Sequence, residues 1–129
     1  MSNGLSKVES AAAPKAIGPY SPAVEAGDFI FFSGQIPLTS AGEMIPGGIT
    51  EQTEQVLKNI GALLKARGLT YANVVKSEVF LKDLEDFAKM DEVYSRYFTE
   101  SLKPARTTLQ VARIPKDSLV EIAVVAYKG

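Results

Sequence analysis

The run KPARTTLQVARIPKDSLVEIAVVAY, Lys103 to Tyr127, holds two strand-like segments separated by turn residues. Ala105 to Ala112 is rich in β-branched residues, Ile114 to Ser118 is turn chemistry, and Leu119 to Tyr127 is almost continuously apolar. Together they predict a closing antiparallel hairpin. Leu119, Val120, Ile122, Val124 and Val125 leave the second strand no polar side, so it reads as covered on both faces. Glu121 interrupts it. Its carboxylate is either paired or held with a raised pKa, which makes it a candidate for proton transfer. Arg106, just after Pro104, offers a planar and permanently charged fork, a candidate for binding a carboxylate or phosphate. With the turn centred on Pro115 to Ser118, opposed residues sum to about 233, which sets Glu121 opposite Ala112 and roughly 20 Å from Arg106. One hairpin cannot aim both groups at one small substrate. Either they serve different ends or neighbouring subunits each contribute one to a shared cleft, and we expect the shared cleft.

Composition narrows the chemistry. The 129 residues, 46% hydrophobic and 22% charged, suit one domain spanning 1–129. Net charge is −1 and the basic residues are spread from Lys7 to Lys128, so no electrostatic footprint for nucleic acid or an anionic membrane is present. Met1 to Lys7 lacks an apolar signal core and no stretch reaches the length of a membrane span, so the expected location is cytoplasmic. The chain has no Cys and no His. That removes disulfides, thiolate nucleophiles, a histidine-activated serine and the usual zinc and iron ligand sets. Neither a metal nor a cofactor is expected.

Upstream of the hairpin, Leu5 to Glu9 predicts a short edge strand after a polar tail. Ile17-Gly18-Pro19-Tyr20-Ser21-Pro22 predicts a rigid bend around Tyr20, whose ring either lids the core or faces a pocket. Val24 to Ala26, the turn Gly27-Asp28 and Phe29 to Ser33 predict a strand, tight turn and strand. Ser33-Gly34 after that run is either a bulge or a point of close approach by a ligand or another backbone. Val56, Ile60, Leu63 and Leu64 recur at helical spacing within Thr50 to Arg67, with Gly61 marking close packing on a sheet. Val74 to Lys82 alternates, with Val75, Ser77, Val79 and Leu81 on one face. A second helix over Asp86 to Thr99 lines up Phe87, Met90, Tyr94, Tyr97 and Phe98 as a core stripe. The order predicts an α+β sandwich, one mixed sheet with two helices on one face and the other face packed against further subunits.

Ile17-Gly18-Pro19-Tyr20-Ser21-Pro22-Ala23, Ser33-Gly34-Gln35-Ile36-Pro37, Val79-Phe80-Leu81-Lys82-Asp83-Leu84, Pro104-Ala105-Arg106 and Val111-Ala112-Arg113-Ile114-Pro115-Lys116-Asp117 closely resemble the YjgF/YER057c/UK114 (RidA) family. These motifs span nearly the whole chain and keep their order. The resemblance implies a chorismate-mutase-like fold assembled as a homotrimer with clefts between subunits. It implies hydrolysis of enamine/imine intermediates such as 2-iminobutanoate and 2-iminopropanoate to 2-oxo acids and ammonia. By position, Arg106 matches the arginine that grips the substrate carboxylate and Glu121 the glutamate near the attacking water. Tyr20, Ser33 and the Gly34 backbone match pocket positions. Thr108 stands where many members have cysteine, so it is no nucleophile, although its amide or hydroxyl remains available to a carboxylate. The resemblance also attaches an endoribonuclease or translation-inhibitor role, which a chain with no His acid/base pair and no basic stripe supports poorly, and a further competing reading is a non-catalytic trimer that binds small carboxylates.

Overall fold

In a computed structural model that describes residues 4–129, the strands are β1 (Leu5–Val8), β2 (Ala23–Ala26), β3 (Phe29–Phe32), β4 (Val74–Leu81), β5 (Ala105–Gln110) and β6 (Val120–Tyr127). The helices are α1 (Ile49–Lys65) and α2 (Phe87–Tyr97). The first residues of the expected polar tail, 1–3, lie outside the described residues. The strands form one sheet in the order β1-β2-β3-β6-β4-β5. The first three make an antiparallel meander, with Gly27 at φ 59° in the β2–β3 turn, a conformation that costs glycine little.

The closing segment does not form the expected hairpin. β5 pairs in parallel with β4, whereas β6 pairs antiparallel with both β4 and β3 and so separates them. Residues 111–119 are therefore a crossover rather than a hairpin turn. Pairing β6 between β3 and β4 buries its helix-side face along the whole strand: Val120, Ile122, Val124 and Ala126 are all in the core. An edge hairpin would have left one side of that strand without a hydrogen-bonded neighbour, which its apolar sequence disfavours. The turn itself is real, a single 3-10 turn at Pro115–Asp117 with Lys116 and Asp117 at φ 57° and 54°.

Both helices cover one face, which alternates with the other along every strand. On the covered face Ile30, Phe32, Val79, Leu81, Ile122 and Val124 meet Val56, Ile60, Leu64, Met90 and Val93 in one hydrophobic cluster. The α1 amino terminus is closed by Glu51, whose Oε1 accepts from Gly48 N–H at 2.8 Å. Gly61 packs against Tyr71 rather than the sheet: a methyl group there would lie 2.9 Å from the ring carbon bearing the hydroxyl. That hydroxyl donates to Leu57 O at 2.5 Å. A register shift between Val74 and Lys76 turns Val75 outward, so the simple alternation expected for β4 fails at its start.

On the other face, Phe29, Phe31, Tyr127 and Leu109 are 40 to 50% exposed. Phe29 and Tyr127 sit opposite each other with ring centroids 5.3 Å apart. Among the described residues no helix is long and apolar enough to cross a membrane.

Candidate active site

Glu121 sits on β6 opposite Phe80 of β4, on the face away from the helices. Beyond Phe32 the chain continues beside β6: Gln35 N–H donates to Ile122 O at 2.8 Å and Ile122 N–H donates back to Gln35 O at 3.1 Å. Phe31 faces Val125 and Gln35 faces Ile122, so the register slips by one residue across Ser33-Gly34. This is the bulge, and it is also a point of close approach. The Glu121 carboxyl lies directly over Gly34, and a Cβ at that position would fall 2.8 Å from the carboxyl carbon. Glycine leaves room for the carboxyl in this position; a side chain there would displace it.

A cleft of about 520 Å³ opens at this point, lined by Glu121, Ser33, Gly34, Tyr20, Ile17 and Lys116 among others. The Ser33 hydroxyl donates to Ser21 O at 2.6 Å and its N–H to Pro22 O at 2.9 Å, which fastens the Tyr20 bend against the cleft. Tyr20 itself is half exposed at the rim, so its ring does not lid the core. Among the described residues Glu121 has neither an ion-pair nor a hydrogen-bond partner, and burial raises its pKa above the ordinary carboxylate value. Of the two readings open for this group, the unpaired one holds. Such a carboxyl can accept and return a proton closer to neutral pH than a solvated one.

Arg106 lies elsewhere. It faces Ser77 of β4, in the same row as Val124 of β6, and so points to the helix side of the sheet. Its guanidinium stacks on Tyr94 at 4.7 Å and on Phe87 at 5.4 Å, and Nη1 donates to Asp91 Oδ1 at 2.6 Å. Burial raises the Tyr94 phenol's pKa, opposed by the neighbouring Ser77 hydroxyl and Arg106. Neither the Tyr94 nor the Ser77 hydroxyl completes a well-formed hydrogen bond. A crevice of about 410 Å³ beside Arg106 is lined by Asp91, Tyr94, Ser95, Lys103 and Pro104. Thr108 follows two residues along β5, opposite Val79 and on the same face as Arg106.

One chain therefore brings Tyr20, Ser33, Gly34 and Glu121 together and holds Arg106 and Thr108 apart from them. The rows through Ser77 and Phe80 are three residues apart and the strands two apart, which separates the Arg106 and Glu121 backbones by about 14 Å. They also project from opposite faces of the sheet. The expected separation of roughly 20 Å rested on a pairing that does not form, but the inability of one chain to converge the two groups stands for this different reason.

Sequence reading missed Asp91 and assigned Phe87 and Tyr94 wholly to the core. Their spacing was the available signal: Phe87, Asp91 and Tyr94 lie on one side of α2, and a carboxylate amid an aromatic stripe calls for a cation.

Comparison with known proteins agrees with this architecture. The family described as Endoribonuclease L-PSP matches residues 10–128. A RutC family protein of Pyrococcus horikoshii is 56% identical over 117 residues, 90% of this chain and 92% of that protein. The 2-iminobutanoate/2-iminopropanoate deaminase of mouse is 48% identical over 131 residues, 100% of this chain and 96% of the relative. The crystal structure of E. coli TdcF with bound serine superposes with a TM-score of 0.91 at 40% identity, covering 96% of this chain and 99% of that one. With matches of this extent, the chain belongs to the Endoribonuclease L-PSP family, also known as the YjgF/RidA family.

Proposed function

We propose that this protein hydrolyses small 2-imino acids, and the enamines in equilibrium with them, to 2-oxo acids and ammonia. The carrying observation is the half-buried, unpaired Glu121 carboxyl pressed over Gly34 in a cleft. The imine carbon is already electrophilic, so the reaction asks the protein only to hold the substrate and to move protons. Glu121 takes a proton from water as the water oxygen bonds to C2 and the C=N electron pair moves to nitrogen. The same carboxyl returns that proton to nitrogen, giving a carbinolamine, and then carries the hydroxyl proton to the amine as the C–N bond breaks, so that ammonia leaves and the carbonyl forms. Tyr20 and Ser33 shape the cleft. Arg106, with Thr108 beside it, anchors the carboxylate.

Because Arg106 and Glu121 face opposite sides of the sheet, the site is completed between copies of the chain, the edge strand β5 of one protomer meeting the Tyr20 and Gly34 segment of the next. The exposed Phe29, Phe31 and Tyr127 are the face we assign to the centre of a chorismate-mutase-like homotrimer. The mouse relative's name supports this activity, and the serine bound to TdcF supports a small-acid ligand.

The test generates 2-iminobutanoate with an amino-acid oxidase or dehydratase and follows its loss in competition with a trapping amine. Faster formation of 2-oxobutanoate in the presence of the protein is expected. An unchanged rate, with 2-oxobutanoate still binding, would identify a non-catalytic carboxylate binder instead. Cleavage of RNA that disappears in Arg106→Ala would favour the ribonuclease reading.

A further inference from the structure

The Arg106 crevice already holds a carboxylate, and it belongs to the chain itself. Asp91, from α2, accepts the Arg106 hydrogen bond at 2.6 Å while its own side chain stays 45% exposed. Phe87 and Tyr94 hold the guanidinium at the helix side, where a ligand carboxylate would meet it beside Asp91. Asp91, being half exposed, can turn to water and recover its hydration. We infer that Asp91 is an internal competitor for Arg106, so that a substrate carboxylate binds by exchange with the Asp91 carboxylate and Asp91 sets the affinity. This rests on the reading of Arg106 as the carboxylate anchor.

The exchange is physically reasonable because the two pairings are unequal. Asp91 takes one contact from a guanidinium that has five N–H groups, whereas a free carboxylate can take two parallel ones. A displaced Asp91 remains close by and repels a second negative charge. The site therefore favours monocarboxylic imines over dicarboxylic ones.

Calorimetric titration of the intact protein with 2-oxobutanoate tests this, using wild type, Asp91→Asn, Asp91→Glu and Arg106→Ala. Removing the competing charge should tighten binding roughly three- to tenfold in Asp91→Asn and lower KM by the same factor, with kcat nearly unchanged. Asp91→Glu, which keeps a competing carboxylate, should stay near wild type. The gain should be larger for 2-oxoglutarate than for 2-oxobutanoate. Unchanged or weaker binding by Asp91→Asn, while Arg106→Ala abolishes binding, overturns the exchange alone. Equal titration of wild type and Arg106→Ala overturns both this inference and the anchor on which it rests.

Discussion

At the residue scale, Arg106 and Glu121 make separable demands. Arg106→Ala removes a charged anchor worth about 3 kcal/mol, so kcat/KM for 2-iminobutanoate should fall about 100-fold, and Arg106→Lys should recover only part because the fork is lost. Wild-type turnover in Arg106→Ala would refute the assignment. Glu121→Gln should lower kcat by roughly 10² or more while leaving 2-oxobutanoate binding largely intact. It should also remove the acid limb of the pH profile, which in wild type lies above the ordinary carboxylate range because burial raises that pKa.

The same shift has a consequence for stability. A carboxyl with a raised folded-state pKa binds its proton more tightly when folded, so its favourable contribution is complete below the unfolded value and is lost as pH rises through the folded one. Glu121→Gln should therefore melt at a higher temperature than wild type at pH 7, and the advantage should vanish below about pH 4. A constant difference across that range would deny the shift. Gly34 completes this scale. Gly34→Ala pushes the Glu121 carboxyl out of its place, so activity should fall further than the ~1 to 3 kcal/mol of stability lost to overpacking.

At the element scale, α1 shows a glycine kept against helix propensity. Gly61→Ala would gain about 1 kcal/mol in an isolated helix, yet the added methyl meets the Tyr71 hydroxyl and forces it off Leu57 O. Urea denaturation should show a net loss of about 1 to 3 kcal/mol, mostly restored by adding Tyr71→Phe. Stabilisation by Gly61→Ala alone would mean that the ring yields freely. α2 serves both the core and the crevice. Met90 and Val93 are fully buried core, while Phe87 and Tyr94 pack on the Arg106 guanidinium and Asp91 accepts its hydrogen bond across the β4–α2–β5 crossover.

At the scale of the whole molecule, Phe29, Phe31 and Tyr127 are exposed together on the face away from the helices, the face assigned to the centre of the proposed trimer. On the proposed trimer, Phe31→Asp should shift sedimentation toward monomer and abolish the proposed deamination even though Arg106 and Glu121 remain. Full activity in a monomeric variant would exclude a shared site. Within one chain, Glu25 ties the ends of the fold together, accepting from Lys128 Nζ at 2.7 Å and Arg67 Nε at 2.9 Å.

Read alone, the chain already specified its two helices, the β2–β3 meander, the Ser33-Gly34 irregularity and the residue types able to do chemistry without His or Cys. Helical and strand periodicities are local, set by which side of an element must be dry. Which strands become neighbours is not local. The apolar run Leu119 to Tyr127 called for a buried strand, but its insertion between β3 and β4 follows from where two crossovers leave a gap, and that depends on packing the helices. The placement of Glu121 and Arg106 on opposite faces was decided there too, because one register sets the direction of every side chain along a strand.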